Sequence, residues 1–439
     1  MSVLERVLTQ EDLHDEHLAP ERLRLAKHHM KAALVDRLGL GAMASMVRER
    51  TESRARSELA VACHAILNTS DFEGVSASER SELVQEVIDE IIGLGPLQPL
   101  IDDDSVSEVM VNGCDSLYFE REGVLYPARR VFESREQILM VVDRILSPLG
   151  RRVDESSPIV NARLSNGYRV NVVIAPVAID GPIVTIRKFS DRISSLERLV
   201  ELKSLPFWYA QMLRWAVQAR QNIAVAGGTG SGKTTLLNSL SSEISHAERV
   251  VTIEDSAELK FETHPHVVRL ESREASIEGS GAVTIRDLVT NALRMRPDRI
   301  IVGEVRAAEC IDMLQAMNTG HDGSLTTLHA GSEQEAIMRL IMMARLGMDL
   351  PTDIIEEQVS TALDFIVMSA RLADGSRVVS HCSLVLRAED GSCELKECVS
   401  FDAAQRSWSL QCEPAFIEQA LQQALIDEEE VETWRASLL

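Results

Sequence analysis

No apolar run in the 439 residues reaches the eighteen or so that a membrane-spanning helix needs. The first residues, MSVLERVLTQEDLHDEHL, mix charge into their apolar positions and hold no signal-peptide core. These two absences predict a cytosolic chain with no direct membrane insertion. Basic charge is also short: 45 Lys and Arg stand against 68 Asp and Glu, and a net charge of -23 repels a nucleic-acid backbone or an anionic lipid surface. Partners are therefore expected to be proteins, with no nucleic acid among them. The seven cysteines run from Cys63 to Cys412 without a C-x-x-C pair, which matches neither a disulfide framework nor a zinc site and reads as free buried thiols. Internal repeats and low-complexity tracts are missing too.

What is present is globular: 45% hydrophobic and 26% charged residues, in a length that favours about two to four domains. Leu23, Ala26, Met30, Leu34 and Leu38, then Leu59, Ala62, Cys63, Ile66 and Leu67, recur at helical spacing and predict a helical module over residues 1–75. Ser76 and Glu79 form a capping-box pair for a further helix carrying Leu83, Val87, Ile88 and Ile91, which GLGPLQPL ends. An acidic linker, Asp102 to Asp104, follows. SEVMVNG, SLYFEREGVLY, a helix around EQILMVVDRIL and PIVNARLSNGYRVNVVIAP then predict an α+β domain over 80–195, with a hairpin turn at Asn166-Gly167. From 200 to 439 strands alternate with helices, which predicts α/β architecture with a parallel sheet covered on both faces. After Asp364 the chain turns β-rich, with Asp374-Gly375 and Asp390-Gly391 as hairpin turns, and one polar helix, FIEQALQQALIDEEEVETW, closes it.

NIAVAGGTGSGKTTLLNSL supplies a strand, a glycine-rich loop and a helix, and Gly227, Gly232, Lys233 and Thr234 fit G-x-x-x-x-G-K-[ST]. Gly228, Thr229, Gly230, Ser231, Gly232, Lys233, Thr234 and Thr235 are the candidate nucleotide cradle. The glycines let backbone amides approach phosphate, the helix N-terminus adds a positive dipole, Lys233 meets the outer phosphates and the Thr234 hydroxyl ligates Mg2+. ATP is the expected nucleotide.

DRIIVGEVR reads as a buried strand ending in Gly303 and Glu304, and on that stretch alone Glu304 is a site residue or a solvated strand end. The phosphate loop upstream favours a site. The usual strand-end Asp is replaced by Gly303, so Glu304 takes the Mg2+-facing duty beside Thr234. Activation of water then falls to VVTIEDSAEL, with Glu254 placed ahead of Glu258 and Asp255 as base; a solvated acidic turn is the alternative. In NTGHDGSLTTLHAGS, His329 ends another strand and reads as a phosphate-sensing or subunit-contact group, while His321 is a structural or a site histidine.

GGTGSGKT, TIEDSAEL, the atypical Walker B RPDRIIVGEVR and TGHDGSLTTLHA, in this order, resemble the secretion-ATPase superfamily of type II secretion, type IV pilus and type IV secretion motors. DESSPIVNARLSNGYRVNVV and DGPIVTIRKF look like its CpaF-type branch, which drives Tad (Flp) pili; the tetracysteine zinc element of the GspE-type branch is missing. The resemblance covers about residues 80–370. It implies a RecA-like P-loop ATPase core after a PAS-like α+β domain, and a homohexamer at the inner face of the cytoplasmic membrane. Such a ring acts on inner-membrane pilus platform proteins to assemble or retract pilin. Arg163, Arg169 and Arg187 match positions that in the family reach the nucleotide, with a structural role open for each. A two-residue turn at Asn166-Gly167 would put Arg163 and Arg169 on opposite faces of their hairpin. Arg294 and Arg296 are further charge partners or solvated cations. The helical head and the tail after Asp364 fall outside the resemblance. The alternatives are a type IV secretion ATPase or a nucleotide-gated platform with little turnover; LSGGQ-like and N-K-x-D signatures are missing.

Overall fold

The computed structural model describes residues 20–39, 41, 43, 52–69, 72, 75–121, 123–164, 166–188, 195–261, 263–273, 275, 280–389 and 391–438. The stretch read above for a signal peptide and the Asp390 half of one predicted turn lie outside them. The chain divides between Ser190 and Asp191 into two units.

In the first unit, α1 (Pro20–Leu38), α2 (Glu52–Leu67) and α3 (Ala77–Ile91) bury one stripe each: Met30 and Leu34, then Leu59 and Cys63, then Leu83 and Val87. The capping box opens α3 as the sequence predicts, Ser76 Oγ accepting from the Glu79 N–H and the Glu79 carboxylate from the Ser76 N–H at 2.8 Å. After α4 (Gln98–Asp102) come β1 (Val106–Asn112), β2 (Leu117–Arg121), β3 (Val124–Pro127), α5 (Arg135–Leu146), β4 (Ile159–Arg163), β5 (Arg169–Val173) and β6 (Ile183–Arg187). They form a sheet of order β3-β2-β1-β6-β5-β4. Alternate residues Val109, Val111, Val170, Val172, Val184 and Ile186 pack with Ile138, Val142 and Ile145 of α5, so polar side chains line the other face.

That face corrects one expectation. Arg163 stands directly opposite Arg169, Arg169 opposite Arg187, and Arg187 opposite Glu108. The turn spans three residues between Leu164 and Tyr168, closed by Leu164 N–H to Tyr168 O at 2.9 Å and Gly167 N–H to Leu164 O at 2.8 Å. One residue more than a two-residue turn shifts the register by one and brings Arg163 and Arg169 onto the same face.

The second unit comprises α6 (Leu196–Glu201), α7 (Phe207–Gln218), β7 (Ile223–Gly227), α8 (Lys233–Ser241), β8 (Val250–Glu254), β9 (Val267–Glu271), α9 (Ile285–Ala292), β10 (Arg299–Val302), α10 (Glu309–Asn318), β11 (Leu325–His329), α11 (Glu333–Gly347), α12 (Thr352–Ala362), β12 (Phe365–Arg371), β13 (Arg377–Arg387), β14 (Cys393–Asp402), β15 (Ser407–Leu410), α13 (Phe416–Gln422) and α14 (Glu428–Ala436). The sheet order is β15-β14-β13-β12-β7-β11-β10-β8-β9. From β12 to β9 the strands are parallel; β13 to β15 are antiparallel. Ile223 and Val225 face Leu213, Leu236 and Leu237, while Ala224 and Ala226 face the core that holds Ile311 and Leu314, so β7 is buried on both sides.

The β-rich tail is part of this sheet and not an appendage. β12 pairs with the loop-bearing strand β7, Phe365 opposite Ile223 and Ser369 opposite Gly227. The closing polar stretch is two helices instead of one, broken at Ala424 (φ +53°) and restarted by Asp427, whose carboxylate caps α14. At the amino edge Arg299 is fully buried and its guanidinium donates to Glu248, Gly323 O and Val217 O. His321 lies at that edge as well, its Nδ1 3.2 Å from Ala316 O.

Candidate functional site

The carboxyl edge of the second sheet collects the ends of β7, β11, β10 and β8. Between β7 and α8, Gly232 takes φ +99°, a left-handed conformation at the N-cap that a side chain disfavours and that lets the next amides begin the helix. Ser369 Oγ at the end of β12 donates to Ser231 O at 2.7 Å and anchors the loop from its other flank. Lys233, in the first turn of α8, is buried; its ammonium donates to Gly227 O (3.1 Å) and Gly228 O (2.9 Å) and lies 3.3 Å from His329 Nδ1.

An ammonium has only donors, so His329 Nδ1 is the acceptor and the ring proton sits on Nε2. That Nε2 faces Glu304 Oε1 at 3.2 Å. The His329 pKa is lowered by burial first and by Lys233 next, against the opposing pull of Glu304, so the imidazole is a neutral bridge. Glu304 Oε2 in turn accepts from Arg306 at 2.6 Å, and Arg306 reaches Asp255 at 3.0 Å. Lys233, His329, Glu304, Arg306 and Asp255 thus lie in one line of close polar contacts from the phosphate loop to the acidic box.

Glu254, the last residue of β8, is separate from that line and buried. Its Oε1 accepts from the backbone N–H groups of Glu258 (2.7 Å) and Leu259 (3.0 Å). Its Oε2 is buried with no hydrogen-bond partner, and burial pushes its pKa up to about 7, against those two backbone bonds and with the Glu258 charge assisting. A carboxylate poised there exchanges a proton near neutrality. Glu258 serves this arrangement through its main chain, its side chain being half-buried nearby. Asp255 is exposed and held by Ser272 and Arg306.

Glu254, Glu304, His329 and Lys233 are therefore gathered at one sheet edge. Thr234 and Thr235 are half-buried in the first turn of α8. Arg163, Arg169 and Arg187 lie in the first unit. Arg294 and Arg296 are exposed near the amino end of β10, the edge that also holds His321, so none of these three lies at the loop. Sequence reasoning assigned no role to Arg306, Ser369, Arg371 or Arg377; Arg306 is visible in GEVR, but the other three follow only from β12 lying beside β7.

Ser231 Oγ and Glu304 Oε1 are also buried without a hydrogen-bond partner. Hard oxygen donors of this kind beside a phosphate loop suit Mg2+ carried on a polyphosphate.

Comparison with known proteins places these features in context. A family model described as "Type II/IV secretion system protein" matches residues 90–435 and so takes in the β-rich tail. A putative conjugal transfer protein of Mycobacterium tuberculosis (strain H37Rv) is 36% identical over 306 residues, spanning 68% of this chain and 86% of that one. The type IV secretion system protein VirB11 of Brucella suis is 35% identical over 301 residues, spanning 62% and 83%. The crystal structure of the VirB11 ATPase from the Brucella suis type IV secretion system in complex with sulphate is 30% identical, covering 68% of this chain and 97% of that one at a TM-score of 0.37.

Proposed function

Because the chain belongs to the type II/IV secretion system protein family, we propose that it is a Mg2+-dependent ATPase that drives a membrane-bound secretion or pilus apparatus from the cytoplasm as a homohexamer. The observation that carries this reading is the Lys233–His329–Glu304 chain laid beside a buried, partly unpaired Glu254. Lys233 is positioned to exchange loop carbonyls for the outer phosphates of ATP, and the first amides of α8 bind the same charge. Mg2+, with Thr234 and Glu304 as its protein groups, supplies neutralisation of the phosphate charge. Glu254 accepts the proton of the attacking water at Oε2, a transfer its pKa near 7 favours. His329 holds Lys233 and Glu304 in register, and Arg306 fixes the Glu304 carboxylate through its Oε2. The arginine row on the first unit's polar face is a further anion-binding surface, and PAS-like is the proposed description of the domain that carries it.

The branch is a finer matter. Segments around Arg163 and Arg187 point to a Tad pilus motor, whereas the relatives in hand are conjugal-transfer and type IV secretion proteins, which favours the type IV secretion reading. In either branch the hexamer works on inner-membrane platform components, and no helix among the described residues is long and apolar enough to cross a membrane. The test is ATP turnover by the purified full-length chain with Mg2+. Lys233→Ala should lower it at least a hundredfold while the thermal melt stays unchanged; undiminished turnover in that variant removes the proposal.

A further inference from the structure

The carboxylates and His329 all stand on one flank of β7, at the ends of β11, β10 and β8. If the terminal phosphate of ATP lies there, the α-phosphate and nucleoside must run to the other flank, where β12 and β13 meet the loop. Two arginines wait at that place. Arg371, the last residue of β12, and Arg377, the first of β13, are directly opposite each other in the ladder. Arg377 Nε donates to Gly230 O at 2.9 Å, and its Cδ lies 3.4 Å from where a Cβ on Gly232 would be. Arg371 Nη1 lies 3.6 Å from the corresponding point on Gly230. The acid of the intervening turn, Asp374, accepts from Ser376 Oγ at 2.6 Å and pairs with Arg406. Guanidinium groups suit phosphate oxygens because their planar donors match them two at a time.

We propose that Arg371 and Arg377 form a phosphate-binding element, contributed by the same chain, that receives the α-phosphate of the nucleotide at the β12–β13 side of the loop. The inference rests on the ATPase reading above and adds a site to it. The pair also explains why the tail is built into the sheet: β12 fixes the loop through Ser369, and the hairpin that follows delivers both cations. Arg377 has a double duty, since the side chain that bonds Gly230 O also sets the loop's outer rim.

The test measures ADP binding to the full-length protein with a fluorescent ADP analogue, and pyrophosphate by competition against it. Arg371→Ala and Arg377→Ala should each weaken ADP binding about tenfold or more, the size of a lost charge-assisted hydrogen bond. Pyrophosphate, which fills only the outer phosphate positions, should change less than threefold. Arg371 is exposed, so Arg371→Ala, with its melting temperature measured without nucleotide, is the decisive variant if Arg377→Ala unfolds. Equal losses for ADP and pyrophosphate would mean that the pair only shapes the loop and would overturn the α-phosphate assignment. Wild-type ADP affinity in Arg371→Ala and Arg377→Ala would also overturn it while leaving the ATPase reading intact. Failure of wild type to bind ADP at all would overturn both.

Discussion

A Cβ on Gly303 would lie 2.8 Å from Glu254 Cγ, so the side chain of Glu254 occupies the space where a residue at 303 would point. The two positions follow directly from the parallel pairing of β8 with β10, in which Ile253 stands opposite Val302. This gives a steric reason for glycine at the strand end: a side chain at 303 would displace Glu254. Installing the conventional acid is therefore expected to harm the protein. Gly303→Asp should destabilise it by about 1–3 kcal/mol through overpacking and place a second carboxylate against a buried one. Thermal melting and ATP turnover check this; both should fall, and Gly303→Ala should show the steric part alone.

Glu254 should be a liability to stability above neutral pH. Its folded pKa is raised from 4.5 to about 7, so the native state holds this proton more tightly than the unfolded chain does. Its stabilising protonated form is fully present below pH 4.5 and is lost as pH rises through 7. Above that range the buried charge costs on the order of 3 kcal/mol. Glu254→Gln keeps an oxygen for the Glu258 and Leu259 N–H groups and removes the charge. Denaturant unfolding should show the variant more stable than wild type at pH 8 and nearly equal at pH 4.5, with ATP turnover lost at both.

Much of the second unit was legible because its signals are local. The phosphate loop, the buried runs at β7, β8 and β10, and the glycine turns at Gly375 and Gly391 all depend on neighbours in sequence. The capping box at Ser76 is of the same kind. What sequence reasoning missed depends on register or on distant pairing. The three-residue turn that aligns Arg163 with Arg169 looks like a two-residue turn until its hydrogen bonds are known. The union of β12 with β7 joins residues some 140 apart in the chain, as the Asn222 N–H to Asp364 contact illustrates. The break at Ala424 hides inside a stretch with uniform helical periodicity.

The pH profile should separate His329 from Glu254. With Glu254 as the proposed base, which must be ionised to act, turnover should fall tenfold per pH unit below about 7 as Glu254 takes up a proton. His329 titrates lower, because burial and Lys233 depress it, and once protonated it can no longer accept from Lys233. The acid limb of log kcat should therefore steepen from a slope of one to a slope of two at low pH. In His329→Gln, whose amide oxygen can still accept a hydrogen bond, turnover should drop but the slope should stay at one. A variant with the same steepening would show that His329 has no part in the titration.

The roles proposed for Glu304 and Glu254 differ, and Mg2+ dependence should tell them apart. Glu304 is tied to His329 and Arg306 at the end of β10, in line with Lys233, and its Oε1 has no hydrogen-bond partner. Glu254 is held by backbone amides with only Oε2 unpaired, an arrangement that suits one proton better than a divalent ion. Glutamine at either position preserves size and removes charge, so both variants should bind ATP and hydrolyse it at least a hundredfold more slowly. Titrating Mg2+ against nucleotide binding should shift the metal midpoint to higher concentration in Glu304→Gln and leave it unchanged in Glu254→Gln. Arg306→Ala, which frees Glu304 Oε2, should move the same midpoint less than Glu304→Gln does. If the midpoint moves for Glu254→Gln and not for Glu304→Gln, the two roles are reversed, and the acid beside Gly303 is the metal-facing one.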